Sequence, residues 1–214
     1  LGPTGGASRR HPGDAALLEH LRGLMAELPR ELALGLYECP SPYRRLLSDE
    51  HVRFCAGSGR FVALKDVSCD LATVSRCCAI AEGSPFAIVN ANAAIAWEAV
   101  RAGSRGFCGI TNNFYPDLYA WLLAEGGADR PHAAELAAFL GICGMVELLG
   151  YPAVAKRFHQ RLGTFASTMC RSVPPDVLEH HWALDALLDQ MNVGAEFHRD
   201  RTTRARVGTA RQTR

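Results

Sequence analysis

The sequence predicts an α/β protein built on a parallel sheet and followed by an all-helical C-terminal region. Short apolar runs alternate four times with amphipathic stretches, the pattern of parallel strands joined by crossover helices. The first run, residues 32–37, is continuously hydrophobic rather than alternating, as a strand buried on both faces requires. After Pro131 the strand-like runs stop and only helical periodicity is left.

The first helix opens at Asp14, a good N-cap, and carries Leu17, Leu18, Leu21, Leu24, Met25 and Leu28 on one stripe before Pro29. Residues 32–37 are the first strand, closed by Pro40 and Pro42. A helix from Ser48 to Gly57 leads to a second strand at 61–65, and Asp70 caps a helix that buries Leu71, Val74, Cys77, Cys78 and Ala81 and stops at Gly83. Residues 85–90 form the third strand, 92–102 a helix and 106–111 the fourth strand, after which Pro116 opens a helix toward Gly126. Further helices are expected at 136–146, 154–162 and 177–191. Four strand-helix units are too few to close an eight-stranded barrel, and they suit an open doubly wound sheet equally well. Periodicity does not choose between the two.

Composition narrows the classes of function. With 48% hydrophobic and 21% charged residues among 214, the chain can bury a sizeable core, and disorder is not expected. No run approaches the roughly 20 uninterrupted apolar residues of a membrane span, and the first residues lack the charged-then-apolar pattern of a signal peptide. A soluble, cytoplasmic protein without membrane association is the expectation. The eight cysteines form no C-x-x-C pair and lie mostly in apolar segments, so buried free thiols are expected rather than disulfides or zinc ligands. His180 and His181 would face apart on a helix, and no metal site is expected. The net charge is +1, but the last sixteen residues hold six arginines against Asp200, which leaves an acidic body. Such a body offers no broad cationic face to nucleic acid, and the Arg-rich tail, residues 198–214, reads as solvated disorder.

Polar residues stand at the C-terminal ends of all four strands: Tyr37 and Glu38, Lys65 and Asp66, Asn90 and Asn92, then Thr111, Asn112 and Asn113. Parallel α/β folds build their sites at that edge. Lys65 is the most informative of these, because only it and Lys156 are lysines among 23 basic residues. A guanidinium keeps its proton and cannot attack a carbonyl, whereas a desolvated lysine can give its proton up. That is the requirement for nucleophilic catalysis through a Schiff base. On spacing alone, the commoner role of a strand-end lysine is a pair with a carboxylate such as Asp66.

Three segments in order, L-Y-E-C-P at 36–40, A-L-K-D-V-S-C-D-L at 63–71 and G-S-R-G-F-C-G-I-T-N-N at 103–113, resemble the dihydrodipicolinate synthase and N-acetylneuraminate lyase family. Tyr151-Pro152, Lys156 and Met169-Cys170-Arg171-Ser172-Val173-Pro174 resemble that family's helical C-terminal region. The resemblance implies a partial TIM (β/α)8 barrel, about the last four strand-helix units over residues 1–127, with a helical extension over 128–197. It implies a class I pyruvate aldolase or synthase in which Lys65 forms an imine with pyruvate and Tyr37 shuttles protons. Ala91, Asn92, Thr111 and Asn113 would shape the substrate site, Ala91-Asn92 standing where the family commonly has G-D. No metal or organic cofactor is implied; the partners are pyruvate or another 2-oxo acid and an aldehyde, and the assembly a homo-oligomer, tetramer or dimer.

The family's earlier strand-helix units, with a G-x-[ST]-[ST]-G-E loop that holds the pyruvate carboxylate, have no counterpart in this sequence. It therefore reads as an N-terminally truncated fragment, inactive alone. True dihydrodipicolinate synthases resemble Y-N-V-P-x-R at the first motif, whereas here Pro42 takes the arginine's place and Arg44 and Arg45 lie beyond it. That departure leaves a sugar-acid lyase or dehydratase as an alternative. A non-catalytic barrel acting as a binding or scaffold protein is the alternative of another class.

Overall fold

The computed structural model describes residues 13–41 and 44–212. They fall into two compact units, the first drawn from residues up to Asn92 together with Glu98–Cys108, the second from Ala93–Trp97 together with the residues from Gly109 onward.

The first unit is α/β. Its parallel sheet has the order β1-β2-β3, with β1 Leu34–Tyr37, β2 Phe61–Asp66 and β3 Ala87–Asn90. The helices α1 (Asp14–Glu27), α2 (Asp49–Ser58) and α3 (Leu71–Ala81) alternate with these strands, as the sequence predicts. A register shift between Leu34 and Gly35 gives β2 one extra residue at Val62. Phe61 and Leu64 are three apart and would face opposite ways on a regular strand; the bulge rephases the alternation so that both are fully buried while Val62 is exposed. From there, Leu64, Asp66, Ile88 and Asn90 are buried, and Lys65 and Val89 are less so.

The ends of the helices are set by local bonds. Gly13, with φ +94°, precedes α1, so Asp14 is the first helical residue rather than the cap. Its carboxylate meets Arg45 at 3.0 Å. In α2, the fully buried His51 joins Ser48 Oγ at 2.6 Å through Nδ1 and the Asp14 carbonyl at 3.0 Å through Nε2, tying the starts of two helices together. Asp70 caps α3 by accepting from Thr73 N at 3.0 Å. Arg60 clamps the turn ahead of β1, donating to the carbonyls of Met25, Pro29 and Leu32.

Residues 106–111 do not form the fourth strand that the sequence predicts. A single parallel bridge pairs Asn90 with Phe107, and Ile110–Asn113 winds into a 3-10 helix. Gly106 and Gly109 bracket only two residues with side chains to pack, and Cys108 between them is exposed; glycine so placed weakens a strand.

The second unit is helical, with α5 (Pro116–Glu125), α6 (Arg130–Cys143), α7 (Ala153–Arg161) and α8 (Leu184–Gln212); α4 is Ala96–Arg101. Pro131–Leu148 is the one described helical stretch long and apolar enough to cross a membrane by length and composition, contrary to the sequence reading. Its Ala133, Leu136, Leu140, Cys143 and Val146 are buried within the unit, whereas Ile142, Met145 and Leu148 are exposed. The helix expected at 177–191 starts only at Leu184, because residues 174–184 pass through successive i to i+3 turns after the Pro174-Pro175 pair.

Beyond residue 197, where the sequence suggests a solvated tail, α8 continues through Gln212. Two of its arginines are paired within the unit: Arg199 binds Asp117 on α5 at 2.7 Å and Arg201 pairs with Glu135 on α6; His198 and Thr202 are buried. All eight cysteines are free; Cys55, Cys77 and Cys143 are buried, whereas Cys39, Cys69 and Cys108 are exposed, against the expectation that such thiols would be buried.

Candidate active site

Tyr37 and Lys65 are register partners at the C-terminal ends of β1 and β2. Both side chains leave the same face of the sheet, and Lys65 Nζ stands 4.4 Å from the centre of the Tyr37 ring. A protonated lysine over an aromatic face is attracted by the ring quadrupole. Asp66, one residue on, points to the opposite face, where it is 1% exposed and accepts from Ser68 N at 3.0 Å and Ser68 Oγ at 2.7 Å. The carboxylate partner that spacing alone suggests for Lys65 is thus committed elsewhere.

The end of β3 completes this edge. Ala91 N donates to the Asp66 carbonyl at 3.0 Å. The fully buried Asn90 folds around Asn92, donating to its carbonyl at 2.7 Å and accepting from its N–H at 3.0 Å. Ala91 and Asn92 are therefore held rigidly one strand away from Lys65. Thr111 and Asn113 belong to the second unit. There, Thr111 Oγ1 lies 2.7 Å from Tyr119 OH, and Asn113 Nδ2 donates to the Ile110 carbonyl at 2.9 Å.

Glu38 is the residue whose importance the sequence reading missed. It follows Tyr37 on the buried face, 6% exposed, and accepts from Leu47 N at 2.6 Å and Val67 N at 3.2 Å. Burial pushes its carboxyl up to about 7; the two backbone donors and Arg44 oppose the shift, and the nearby Asp66 charge adds to it. The available signal was alternation: two residues after the buried-phase Leu36 and Leu64, an acid occupies each strand. Arg44 donates to the carbonyls of Val67 at 2.8 Å and Ser68 at 2.6 Å, and Arg45 binds Asp14, so both guanidinium groups are engaged by the protein itself. Pro42, where the family pattern would have arginine, lies outside the described residues. A groove of about 370 Å³ opens beside β1 among Leu17, Leu36, Tyr37, Glu38, Arg45 and Leu47.

No family model and no curated protein matches the chain. Solved structures do. The chloride-inhibited dihydrodipicolinate synthase of Acinetobacter baumannii, complexed with pyruvate, is 19% identical with a TM-score of 0.71, covering 88% of this chain and 63% of that one. YagE, a prophage protein of the dihydrodipicolinic acid synthase family from E. coli K12 in complex with pyruvate, is 20% identical with a TM-score of 0.71, covering 86% and 64%. A dihydrodipicolinate synthase from Bacillus anthracis is 17% identical with a TM-score of 0.73, covering 85% and 62%. This chain has the dihydrodipicolinate synthase fold in part. It spans less than two thirds of the length of these synthases, and its three parallel strands with alternating helices are the portion of the (β/α)8 barrel that it holds.

Proposed function

We propose that the chain is part of a Schiff-base-forming, pyruvate-dependent lyase or synthase of the dihydrodipicolinate synthase family. The observation that carries this reading is the meeting of Lys65 Nζ with Tyr37 across adjacent parallel strand ends, in a fold shared with pyruvate-complexed enzymes. The Lys65 amine attacks the 2-oxo carbon, water leaves, and the resulting iminium accepts the electron pair when the neighbouring carbon loses a proton. Tyr37 carries protons in these steps, and the enamine carbon then adds to an aldehyde.

Because Arg44 and Arg45 are bound within the protein, neither is available to an acceptor's carboxylate, which favours a sugar-acid lyase or dehydratase over dihydrodipicolinate synthesis. A non-catalytic barrel has one observation in its favour: Lys65 meets the ring face of Tyr37 rather than its hydroxyl.

The test is reductive trapping in a protein extended to the family's full length. Pyruvate followed by borohydride is expected to add a stable adduct at Lys65 and not at Lys156. Lys65→Arg is expected to abolish trapping while leaving the fold intact, since arginine keeps the charge but supplies no nucleophile. Trapping that persists in Lys65→Arg would exclude the assignment.

A further inference from the structure

Glu38 makes three hydrogen bonds with the backbone beneath the proposed reacting pair, two through its carboxyl and one through its own N–H. One oxygen accepts from Leu47 N at 2.6 Å, the other from Val67 N at 3.2 Å, and the Glu38 N–H donates to the Lys65 carbonyl at 3.3 Å. Tyr37 immediately precedes one of these anchor points, and Lys65 lies two residues before another. Side chains of adjacent parallel strands stay stacked only while the strand ends keep their register. The 4.4 Å contact between Lys65 Nζ and the Tyr37 ring sits at the last paired position of β1, where fraying begins unless something closes the end.

We infer that Glu38 is a positioning residue: its carboxyl group closes the ends of β1 and β2 and so holds the Lys65 side chain over Tyr37. This deepens the reading of Lys65 and Tyr37 as the reacting pair and rests on it. The groups that face the carboxyl are Asp66 from β2, Arg44 from the segment before α2 and Cys77 from α3. Asp66 and burial favour the protonated form, Arg44 the ionised one, and the carboxyl takes up its proton at about 7. Burial raises the carboxyl only while the strand ends are closed over it, so the proton favours the closed ends and the closure loosens on the alkaline side of that value, where the buried group must carry a charge.

The chain's two lysines make this measurable on the protein as it stands. Lysine labelled with 13C at Cε yields one signal from Lys65 and one from Lys156, and the Tyr37 ring current shifts the Lys65 Cε protons upfield. Lys156, which donates to the Met169 carbonyl at 2.6 Å, is the internal reference. The expected result is a Lys65 signal that moves toward the position of a solvated lysine as pH rises through about 7, in step with the amide protons of Leu47 and Val67. In Glu38→Gln the signal is expected to lie at the displaced position at every pH, with the step abolished. A Lys65 signal that keeps its upfield shift in Glu38→Gln, or one that fails to titrate with the two amides in the unsubstituted protein, overturns the inference. Should Glu38→Gln not fold, the titration of the unsubstituted protein decides by itself. Loss of borohydride trapping in the extended protein would sink the catalytic reading while leaving these signals as they are, so the two failures are distinguishable.

Discussion

At the scale of single residues, the ring and the hydroxyl of Tyr37 do different things. The ring packs under Lys65 Nζ, and the hydroxyl is the proton carrier of the proposed chemistry. Tyr37→Phe keeps the former and deletes the latter, so in an extended, active protein pyruvate adducts should still form while turnover falls by roughly 10²- to 10⁴-fold; equal loss of both would mean that the substitution acts on the fold. Glu38 sets a dependence of stability on pH. Its carboxyl is raised from 4.5 to about 7, so the folded chain binds the proton more tightly than the unfolded one. That stabilisation is complete below 4.5 and is lost as pH rises through about 7. Because the buried histidines titrate in the same window, the Glu38 part is read as the difference in urea midpoint between the unsubstituted protein and Glu38→Gln, which should fall with rising pH and level off above about 7. Asp66→Asn, which removes the neighbouring negative charge, should move the Glu38 midpoint downward, read from the Leu47 and Val67 amides. The placement of Lys65 and Tyr37 at neighbouring strand ends was legible in the sequence because each ends an apolar run. The part played by Glu38 was not, since it depends on backbone donors 9 and 29 residues away.

Among the elements, those with strong local signals match their predicted places: α1, α2 and α3 each carry an apolar stripe and a definite start, and β2 was placed to within a residue. The fourth strand was overread because a short apolar run flanked by glycine has no periodicity to test. The tail was misread because charge was counted without its partners; the acids that neutralise Arg199 and Arg201 stand on α5 and α6, 82 and 66 residues away. The junction of α6 with α8 also holds two buried histidines, His132 and His198, whose rings stack at 5.5 Å with Nε2 3.3 Å from Nδ1. Burial keeps both below the usual imidazole range; Arg201 adds to this, while Glu135 opposes it for both and Asp129 for His132. A lowered histidine leaves the folded state favouring the neutral ring, so stability is full above about 6.5 and declines as pH falls below it. Acidification should loosen this helix pair, seen as faster amide exchange in α8 around His198 and as a change in the fluorescence of Trp121, whose ring lies 4.8 Å from His132. His198→Phe, which keeps a ring against Phe139 but cannot be charged, should flatten that response; an unchanged acid response in this variant would assign it to other groups.

For the molecule as a whole, the decisive quantity is how much of a barrel three strands can hold. A closed (β/α)8 barrel has no free edge. Here β2 is paired on both sides, β1 on one side among the described residues, and β3 is joined on its far side to residues 105–108 by three backbone hydrogen bonds, from Arg105 N to Ile88 O, Asn90 N to Gly106 O and Cys108 N to Asn90 O. Sheet edges open at lower free energy than the centre, because fewer hydrogen bonds must break and water reaches them directly. Native-state hydrogen exchange of this chain should therefore be graded across the sheet. The amides of Leu64 and Lys65 should be the slowest, that of Gly35 faster, and that of Cys108, whose bond to the Asn90 carbonyl is 2.8 Å, should open with the short segment around it rather than with β3. Extending the protein to the length of the synthases it resembles should slow exchange in β1 far more than in β2, since β1 would exchange solvent for a neighbouring strand while β2 would gain nothing. Equal protection of β1 and β2 in the chain alone would show that its edge is already covered, by another copy of the chain or by its own remaining residues, and sedimentation of the same sample tells these two apart.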